Sequence, residues 1–347
     1  MRYADRVASF VRLGELLCQF SFGEKNSLMT KFTEAAEKAV EHNAWFTQEH
    51  ITHALNSLGT LLRYENLSKW LDTYEITVET SPKKIGVVMA GNIPAVGFHD
   101  FLSVLITGNI LKAKLASDDT FLIPAMASVL TTLDAEWERS IGFTQGRLED
   151  FDAIIATGNN NSARYFDFYF GRYPNIIRRN RNSVAILTGN ETEEQLKGLA
   201  DDIFLYFGMG CRNISKIYIP RGYDPGRLAA SFEKYGHFRN HNKYMNNYDY
   251  RKSLLIINKI PFIDHGFLLL TESREIPSPI SVLHYETYSR IEEVTEFLSA
   301  SKEALQCIVA LPGAGLPAKL FGRAQEPELW DYADNIDTIK FLRSGIS

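Results

Sequence analysis

The sequence predicts a two-domain α/β protein that begins with a helical region. With 347 residues, of which 45% are hydrophobic and 23% charged, the chain has the composition of a soluble globular protein and enough length for two cores. Apolar side chains recur at helical spacing over residues 3–71, and short apolar runs then alternate with helix-like segments. Strands that alternate with helices are typical of a parallel sheet, and two domains imply a cleft.

Charge and cysteine content exclude several classes of protein. A formal net charge of -5 argues against a general nucleic-acid-binding surface. The three cysteines, Cys18, Cys211 and Cys307, are few and widely spaced, so neither a disulfide framework nor a cysteine-based zinc site is expected. No uncharged apolar run reaches about 18 residues, which predicts no membrane span and, with no export signal, a cytoplasmic protein.

The first domain is predicted over residues 1–182, where apolar positions such as Phe10, Leu13 and Leu17 define the helical start. After a break at Ser81-Pro82, the apolar run 85–91 predicts a buried strand. The elements predicted after it are a helix at 94–105, a strand at 110–114, a helix at 120–139 and a strand at 153–158.

The second domain is predicted over residues 183–312, and residues 313–347 are expected to form a tail that packs on the first domain or on an oligomer partner. Its predicted strands lie at 183–187, 214–219, 253–257, 267–270, 280–285 and 308–311, and its helices at 191–207 and 291–305. Residues 235–250 are rich in Asn, His and Tyr and predict a polar surface loop. The four-residue spacing of Glu233, His237 and His241 would suit a metal on a continuous helix, which Gly236 argues against.

Cys211 is the best candidate nucleophile. It lies in a glycine-containing turn between a helix-like segment and the strand 214–219, next to Arg212. A thiolate is a strong nucleophile whose pKa falls beside positive charge, and a flexible turn leaves it approachable. The alternative is a small buried hydrophobic residue, because free cysteine is often buried.

Asn92 follows the strand 85–91, at the carboxyl end where ligands bind to open parallel sheets. Its amide could donate a hydrogen bond to a developing oxyanion, a contribution of about 3 kcal/mol. The alternative is a helix N-cap, because Asn is favoured there and Pro94 follows.

Two further strand ends carry candidate cofactor contacts. Lys112 and Lys114 share one face of the strand 110–114, where charge is costly unless it is paired. Lys114, at the strand end, could therefore contact a ribose or phosphate, and Ser117 would leave room for a 2′-phosphate. The alternative is an edge strand whose lysines reach solvent. Thr157-Gly158 closes the strand 153–158 and opens a helix, where backbone N–H groups favour phosphate, although an ordinary turn explains the pattern equally.

Two other features suggest no site. Arg178, Arg179 and Arg181 predict a solvated turn, with an anion site as the alternative. The aromatic residues at 165–170 predict core packing rather than an acyl tunnel.

Taken in order, these motifs resemble the aldehyde dehydrogenase superfamily. They are Gly-Asn-Ile-Pro at 91–94, Gly-Asn at 108–109 with Lys114 five residues on, Thr157-Gly158, Cys211, and Glu-Ile-Pro-Ser-Pro-Ile at 275–280. The branch that the chain resembles most is the acyl-CoA reductase (LuxC) family of fatty-acid reductases. The resemblance implies an aldehyde dehydrogenase-like fold, with a Rossmann-type cofactor domain in residues 1–182 and an α/β catalytic domain in residues 183–312.

The resemblance also implies roles for the candidate residues. Cys211 would accept the acyl group and Asn92 would donate to the oxyanion. Lys114 and Thr157-Gly158 would contact NADPH or NADH. Glu275, which alone would be read as a surface carboxylate, would contact a ribose.

The chain departs from the family pattern in three places. Hydrolytic aldehyde dehydrogenases carry a glutamate base ahead of the cysteine, and residues 179–184 contain no glutamate. A thioester on Cys211 is therefore expected to be reduced or passed to CoA rather than hydrolysed. Ser117 replaces the usual acidic residue, which favours NADPH over NADH, and the chain is shorter than a typical member, which leaves open whether it forms a homo-oligomer.

The sequence thus predicts a reductase that converts an acyl-CoA to an aldehyde with NADPH or NADH. Two alternatives remain open. A CoA-acylating aldehyde dehydrogenase would use the same residues in the oxidative direction, and a degenerate dehydrogenase fold could bind a nucleotide without catalysis.

Overall fold

The computed structural model describes residues 1–23, 27–74, 76, 81–344 and 346. The chain forms two compact units, the first from Met1–Asn180 together with Glu328–Ser347 and the second from Arg181–Pro327. Residues 24–26 of the predicted helical start, and residues 345 and 347 of the predicted tail, lie outside the described residues. Across the described residues, no helix is both long and apolar enough to cross a membrane.

The first unit begins with helices and continues as a parallel sheet. Its opening helices are α1 (Tyr3–Cys18), α2 (Ser27–His42), α3 (Gln48–Leu61) and α4 (Tyr64–Leu71). The elements that follow are β1 (Lys84–Val88), α5 (Phe98–Ile106), β2 (Ile110–Lys114), α6 (Leu122–Leu133), β3 (Ile141–Thr144), β4 (Ala153–Thr157), α7 (Asn160–Phe170) and β5 (Asn175–Arg178). The strand order is β3-β2-β1-β4-β5, with every pair parallel.

The apolar positions that predict the helical start form its core. Phe10, Leu13 and Leu17 are fully buried and belong to a continuous cluster that includes Ile85 and Val87 of β1. The helices α1 to α4 therefore bury their apolar faces in the same core as the sheet.

The second unit has its own sheet. Its elements are β6 (Asn182–Ile186), α8 (Glu193–Phe204), β7 (Ile214–Pro220), α9 (Ala229–Phe232), α10 (Asn242–Ile257), β8 (Ile263–Asp264), β9 (Leu269–Glu272), β10 (Val282–Tyr288), α11 (Ile291–Ala300) and β11 (Leu305–Ala310). The order is β11-β6-β7-β10-β9-β8, parallel except for the pair of β8 and β9. The chain ends with α12 (Thr338–Ser344), which belongs to the first unit.

The predicted α/β architecture is confirmed, but two segment predictions are wrong. Residues 253–257 are the last turns of α10 rather than a strand, with Ile256 and Ile257 exposed. A run of five apolar residues does not separate helix from strand by periodicity, and here it continues a helix.

The predicted polar loop at 235–250 is also helical. It comprises a 3-10 helix, Glu233–Asn240, followed by α10. The aromatic rings of Phe238 and Tyr244 are buried, so packing rather than the polar composition sets its structure. Glu233 pairs with Arg239, and His241 caps α10 by accepting a hydrogen bond from the Tyr244 amide.

Candidate functional site

Cys211 lies on an exposed turn between α8 and β7. A short 3-10 helix, Leu205–Gly208, follows α8, and the strand begins three residues after the cysteine. The Cys211 side chain is exposed, which contradicts the alternative of a buried structural cysteine. A thiol in this position is accessible to a substrate.

The backbone before Cys211 has an unusual conformation. Tyr206, Phe207 and Gly208 all have positive φ, at 55°, 57° and 74°. Bulky residues rarely adopt such angles, at a cost of about 1–3 kcal/mol each. The Phe207 ring packs against the Phe238 and His241 rings, at centroid distances of 4.5 and 4.4 Å, and this packing holds the turn.

Asn213 braces the same turn from inside. Its side chain is buried, and its Nδ2 donates to the carbonyls of Asp202, Ile203 and Leu205 at 3.1, 3.3 and 2.8 Å. Its Oδ1 accepts the amide of Gly210 at 2.8 Å. One side chain thus ties the end of α8 to the residue before the cysteine.

Ser183 and Asp202 extend this bracing. The Ser183 hydroxyl donates to the Cys211 carbonyl at 2.9 Å, which links the turn to β6. The buried Asp202 carboxylate accepts the amides of Gly322 and Ala324 at 2.7 and 2.9 Å. Burial raises the pKa of Asp202 to about 7, because desolvation outweighs the two amide hydrogen bonds, which lower it.

Glu275 lies on the segment that follows β9 in the second unit. Its side chain is exposed, and its backbone amide donates to the Ser273 hydroxyl at 3.1 Å. The exposed carboxylate is available to a ligand.

Asn92 lies in the loop that follows β1, where its side chain is exposed. The N-cap alternative is wrong, because α5 begins only at Phe98 and its N-cap is Gly97. The loop instead approaches the next strand connection closely, since a Cβ on Gly91 would lie 2.6 Å from the Ala116 Cβ. Position 91 therefore has no room for a side chain and requires glycine.

Asp119 holds the Asn92 loop from the β2–α6 connection. Its carboxylate accepts the amide of Ala95 at 2.7 Å, and Ala95 has a positive φ of 55°. Burial raises the pKa of Asp119 to about 6, with the backbone hydrogen bonds opposing the shift. The conformation of the loop that presents Asn92 thus depends on a buried carboxylate.

Lys114 lies at the carboxyl end of an interior strand. Since β2 pairs with both β3 and β1, the alternative of an edge strand is wrong. Lys114 lines a cleft of about 900 Å³, and among the described residues no carboxylate lies within ion-pair distance of it. Ser117 lies on the next loop, where its carbonyl accepts a hydrogen bond from His42 Nε2 at 2.7 Å, and it is not among the described residues that line the cleft.

The wall of this cleft is aromatic. Helix α7 contributes Tyr165, Phe166, Tyr169 and Phe170. The prediction that these aromatic residues form core is wrong, because Tyr165 and Tyr169 are 65% and 55% exposed. Phe168, on the same helix, is 82% exposed and does not line the cleft. An open aromatic wall beside a cation suits a flat, anionic ligand.

Thr157 and Gly158 form the turn between β4 and α7. Asn159 caps the helix, with its Oδ1 accepting the Ser162 amide at 2.9 Å. A Cβ on Gly158 would lie 2.8 Å from the Phe166 ring, so the turn needs glycine to bring the aromatic wall close.

Arg178 lies behind this turn and is buried, so both interpretations of the arginine cluster are wrong for it. Its Nη1 bonds both oxygens of Asp100, at 2.8 and 2.6 Å, and approaches the Thr157 hydroxyl at 3.4 Å. Its Nη2 donates to Thr338 of α12 at 2.9 Å. The guanidinium is thus a structural link between β5, α5 and α12 rather than an anion site.

The structure brings part of the predicted set together within each unit. The ends of β1, β2 and β4 are neighbours in one sheet, so the Asn92 loop, Lys114 and the Thr157 turn lie along one edge. Cys211 and Glu275 belong to the second unit.

Sequence reasoning missed the supporting residues. Lys114 is a candidate because a charged residue within an apolar strand is costly unless it has a partner. Lys216 in β7 shows the same pattern but is not among the residues predicted from sequence. Asn213 and Asp119 have no local signal, because their partners are backbone groups brought near by the fold.

No protein-family model matches the chain. Its structure is similar to solved aldehyde dehydrogenases. One is KauB of Pseudomonas aeruginosa, with a TM-score of 0.62 and 12% identity, covering 89% of this chain and 72% of that one. Another is the P. syringae indole-3-acetaldehyde dehydrogenase AldA, a cysteine-to-alanine mutant in complex with NAD+, with a TM-score of 0.64 and 13% identity, covering 93% and 75%. The chain therefore has the aldehyde dehydrogenase fold.

The relatives found by sequence similarity belong to a narrower class of enzyme than those found by structural similarity. Over 168 residues the chain is 24% identical to a long-chain acyl-protein thioester reductase of Aliivibrio fischeri, and 23% identical to a second such reductase of Photobacterium leiognathi. Each match covers 44% of this chain and 35% of the relative, so it spans about a third of each curated relative. The chain thus has the aldehyde dehydrogenase fold and is similar in sequence, over part of its length, to acyl-protein thioester reductases.

Proposed function

We propose that this protein reduces an acyl thioester, such as a fatty acyl-CoA, to an aldehyde with a nicotinamide cofactor. The observation that carries the proposal is the exposed Cys211 on a turn braced by Asn213, in a chain with the aldehyde dehydrogenase fold. The names of the curated relatives support a thioester as the substrate class.

The first step is acyl transfer to Cys211. The thiolate attacks the thioester carbonyl, the bond from the acyl carbon to the donor sulfur breaks, and CoA leaves as a thiolate. The Cys211 backbone N–H is an oxyanion donor within the turn itself, and the Asn92 amide of the first unit is assigned to the oxyanion by the family resemblance. Both groups belong to turns whose backbone is fixed by buried side chains, Asn213 in one case and Asp119 in the other.

The residues of the first unit fit a nicotinamide cofactor. The aromatic wall of α7 offers a stacking surface for adenine, while Lys114 and the Thr157-Gly158 turn offer contacts for ribose and phosphate. Glu275 of the second unit is assigned to a ribose by the family resemblance. When bound, the cofactor supplies a hydride to the acyl carbon, and Cys211 then leaves as a thiolate with release of the aldehyde.

The cations of the cleft favour NADPH over NADH. Lys114 and Arg147 both line it, and neither has a carboxylate partner among the described residues. Asp150 also lines the cleft, but its charge is balanced by Lys84 at 2.6 Å. Arg172 and Glu149 line the cleft as well, so its cations still outnumber its carboxylates, and this net positive charge would favour a 2′-phosphate. Ser117 is a weaker candidate for this contact than the sequence suggests, since it lies outside the described lining.

The intermediate is expected to be reduced rather than hydrolysed. Residues 179–184 provide no carboxylate, so the glutamate base of the hydrolytic enzymes has no counterpart in this stretch.

The test compares the wild type with Cys211→Ala and, as a matched control, Cys18→Ala, which removes another exposed thiol. Aldehyde, free CoA and oxidised cofactor are measured with long-chain acyl-CoA, with an acylated protein as a second donor, and in the reverse direction from aldehyde and CoA. We expect turnover with the wild type and Cys18→Ala, and loss of turnover with Cys211→Ala. Retained turnover in Cys211→Ala, or no turnover by the folded wild type with any donor or direction, would refute the proposal.

A further inference from the structure

Three consecutive backbone carbonyls around Glu275 are each held by a side chain of the sheet. Lys216 Nζ donates to the Arg274 carbonyl at 2.9 Å, and Ser215 Oγ donates to the Ile276 carbonyl at 2.9 Å. His284 Nδ1 bonds the Glu275 carbonyl at 3.1 Å. Side chains from two strands, β7 and β10, thus fix three successive residues of this segment.

A β-bulge makes this arrangement possible. Ser183 of β6 pairs with Ile214 of β7, and Val184 pairs with Lys216, so Ser215 is an extra residue in β7. Neighbouring residues of a regular strand point to opposite faces, whereas a bulge redirects one of them. Ser215 and Lys216 can therefore both reach the segment that carries Glu275.

We call Ser215, Lys216 and His284, which hold the carbonyls of residues 274–276, the clamp. Lys216 is its central member. Its side chain is fully buried, and its ammonium group forms an ion pair with Glu286 and lies 4.8 Å from the centre of the Tyr218 ring. A buried ammonium group is costly unless it is paired and hydrogen-bonded, and the Arg274 carbonyl adds a hydrogen bond to the ion pair with Glu286. The segment and the lysine fix each other.

His284 contributes as a neutral ring. Burial lowers the pKa of His284, and the nearby Lys216 charge lowers it further. Because its partner is a carbonyl oxygen, Nδ1 must carry the hydrogen and donate it.

We propose that Lys216, together with Ser215 and His284, is a positioning residue that fixes Glu275 before the cofactor binds. This inference rests on the proposed function, in which Glu275 contacts a cofactor ribose. A segment that is already ordered loses less conformational freedom on binding, so the clamp raises cofactor affinity. Acyl transfer to Cys211 does not use Glu275 and is expected to be independent of the clamp.

The main variant is Lys216→Met in the full chain, which keeps the length of the side chain and removes its charge and hydrogen bonds. We expect the dissociation constant for NADPH to rise by about tenfold or more, while acylation of Cys211 without cofactor changes by about twofold or less. In the ligand-free protein, amide hydrogen exchange at residues 273–276 is expected to accelerate.

Two further variants keep the test decisive. Lys234→Met removes an exposed lysine that pairs with Asp201, and it should change none of these quantities. Ser215→Ala removes a single small contact of the clamp, so it tests the same idea if Lys216→Met fails to fold.

The outcomes separate the clamp from the proposed function. Unchanged amide exchange at residues 273–276 in a folded Lys216→Met or Ser215→Ala variant would overturn the clamp. Accelerated exchange with unchanged NADPH affinity would overturn its role in cofactor binding. Absence of acylation and of cofactor binding in the wild type would instead refute the proposed function. The exchange measurement would still show whether the clamp orders the segment that carries Glu275.

Discussion

At the scale of single residues, Asn213 fixes the turn that carries Cys211. It donates to three carbonyls at the end of α8 and accepts the Gly210 amide, and it is almost fully buried. An amide is suited to this place because it carries a donor group and an acceptor on one planar side chain.

Replacing Asn213 by Asp should disrupt the turn without changing its size. The variant keeps the acceptor for Gly210 but places an oxygen against three carbonyl oxygens. We expect the free energy of unfolding to fall by about 3 kcal/mol and acylation of Cys211 to slow by about tenfold or more. Asn258→Asp, at the exposed C-cap of α10, is the matched control. Equal acylation rates in the two folded variants would show that the brace is dispensable.

Asp202 predicts a pH dependence of stability. Burial raises its pKa from 3.8 to about 7, so the folded state favours the protonated form. Its stabilising contribution is full below about pH 4 and is lost as the pH rises through 7. Since one pKa unit is worth about 1.4 kcal/mol, the loss is at most about 4 kcal/mol.

Asp202→Asn removes this titration. The free energy of unfolding should therefore decline between pH 4 and 7 more steeply in the wild type than in the variant, as measured by urea denaturation at each pH. Parallel pH profiles for the two proteins would contradict the raised pKa of Asp202.

At the scale of elements, α7 is unusual because it turns aromatic side chains outward. Ala163 is its buried residue among those described, while Tyr165, Phe168 and Tyr169 are largely exposed. A surface helix normally buries its apolar face. The exposed rings that line the cleft are therefore explained better by ligand binding than by packing.

Tyr169 and Phe168 provide a matched pair on this helix. Tyr169 lines the cleft, whereas its neighbour Phe168 does not. Tyr169→Ala should weaken binding of NADPH by about 1–3 kcal/mol, the value of one base stacked on a ring, and Phe168→Ala should leave it unchanged. Both residues are exposed, at 55% and 82%, so neither change should lower stability much. Equal effects on the dissociation constant would remove α7 from the proposed cofactor site.

At the scale of the whole molecule, the central strands were predictable because they are short apolar runs between turn residues. β1, β2, β4, β6 and β7 all lie where the pattern places them. The strands β3, β5 and β8, which the sequence reasoning did not identify, are short and lie at or next to the edges of their sheets, where burial leaves a weaker pattern.

The errors share a physical cause. Arg178 looks like a solvated cation in sequence because its partner Asp100 is 78 residues away. The last turn of α10 and the aromatic face of α7 likewise depend on what each helix packs against, which a local pattern does not contain. The strand-end positions of the candidate site residues could be predicted from sequence, whereas the contacts of Asn213, Asp119 and Lys216 could not.

The central claim is that Cys211 carries the acyl group, and covalent trapping tests it most directly. The purified full chain would be incubated with a long-chain acyl-CoA without cofactor, and intact and peptide mass spectrometry would locate any adduct. We predict one acyl group per chain, on Cys211 and not on Cys18 or Cys307, which NADPH then releases as aldehyde. A folded protein that forms no adduct with short or long acyl donors, or that is acylated equally at Cys18, would contradict the proposed role of Cys211.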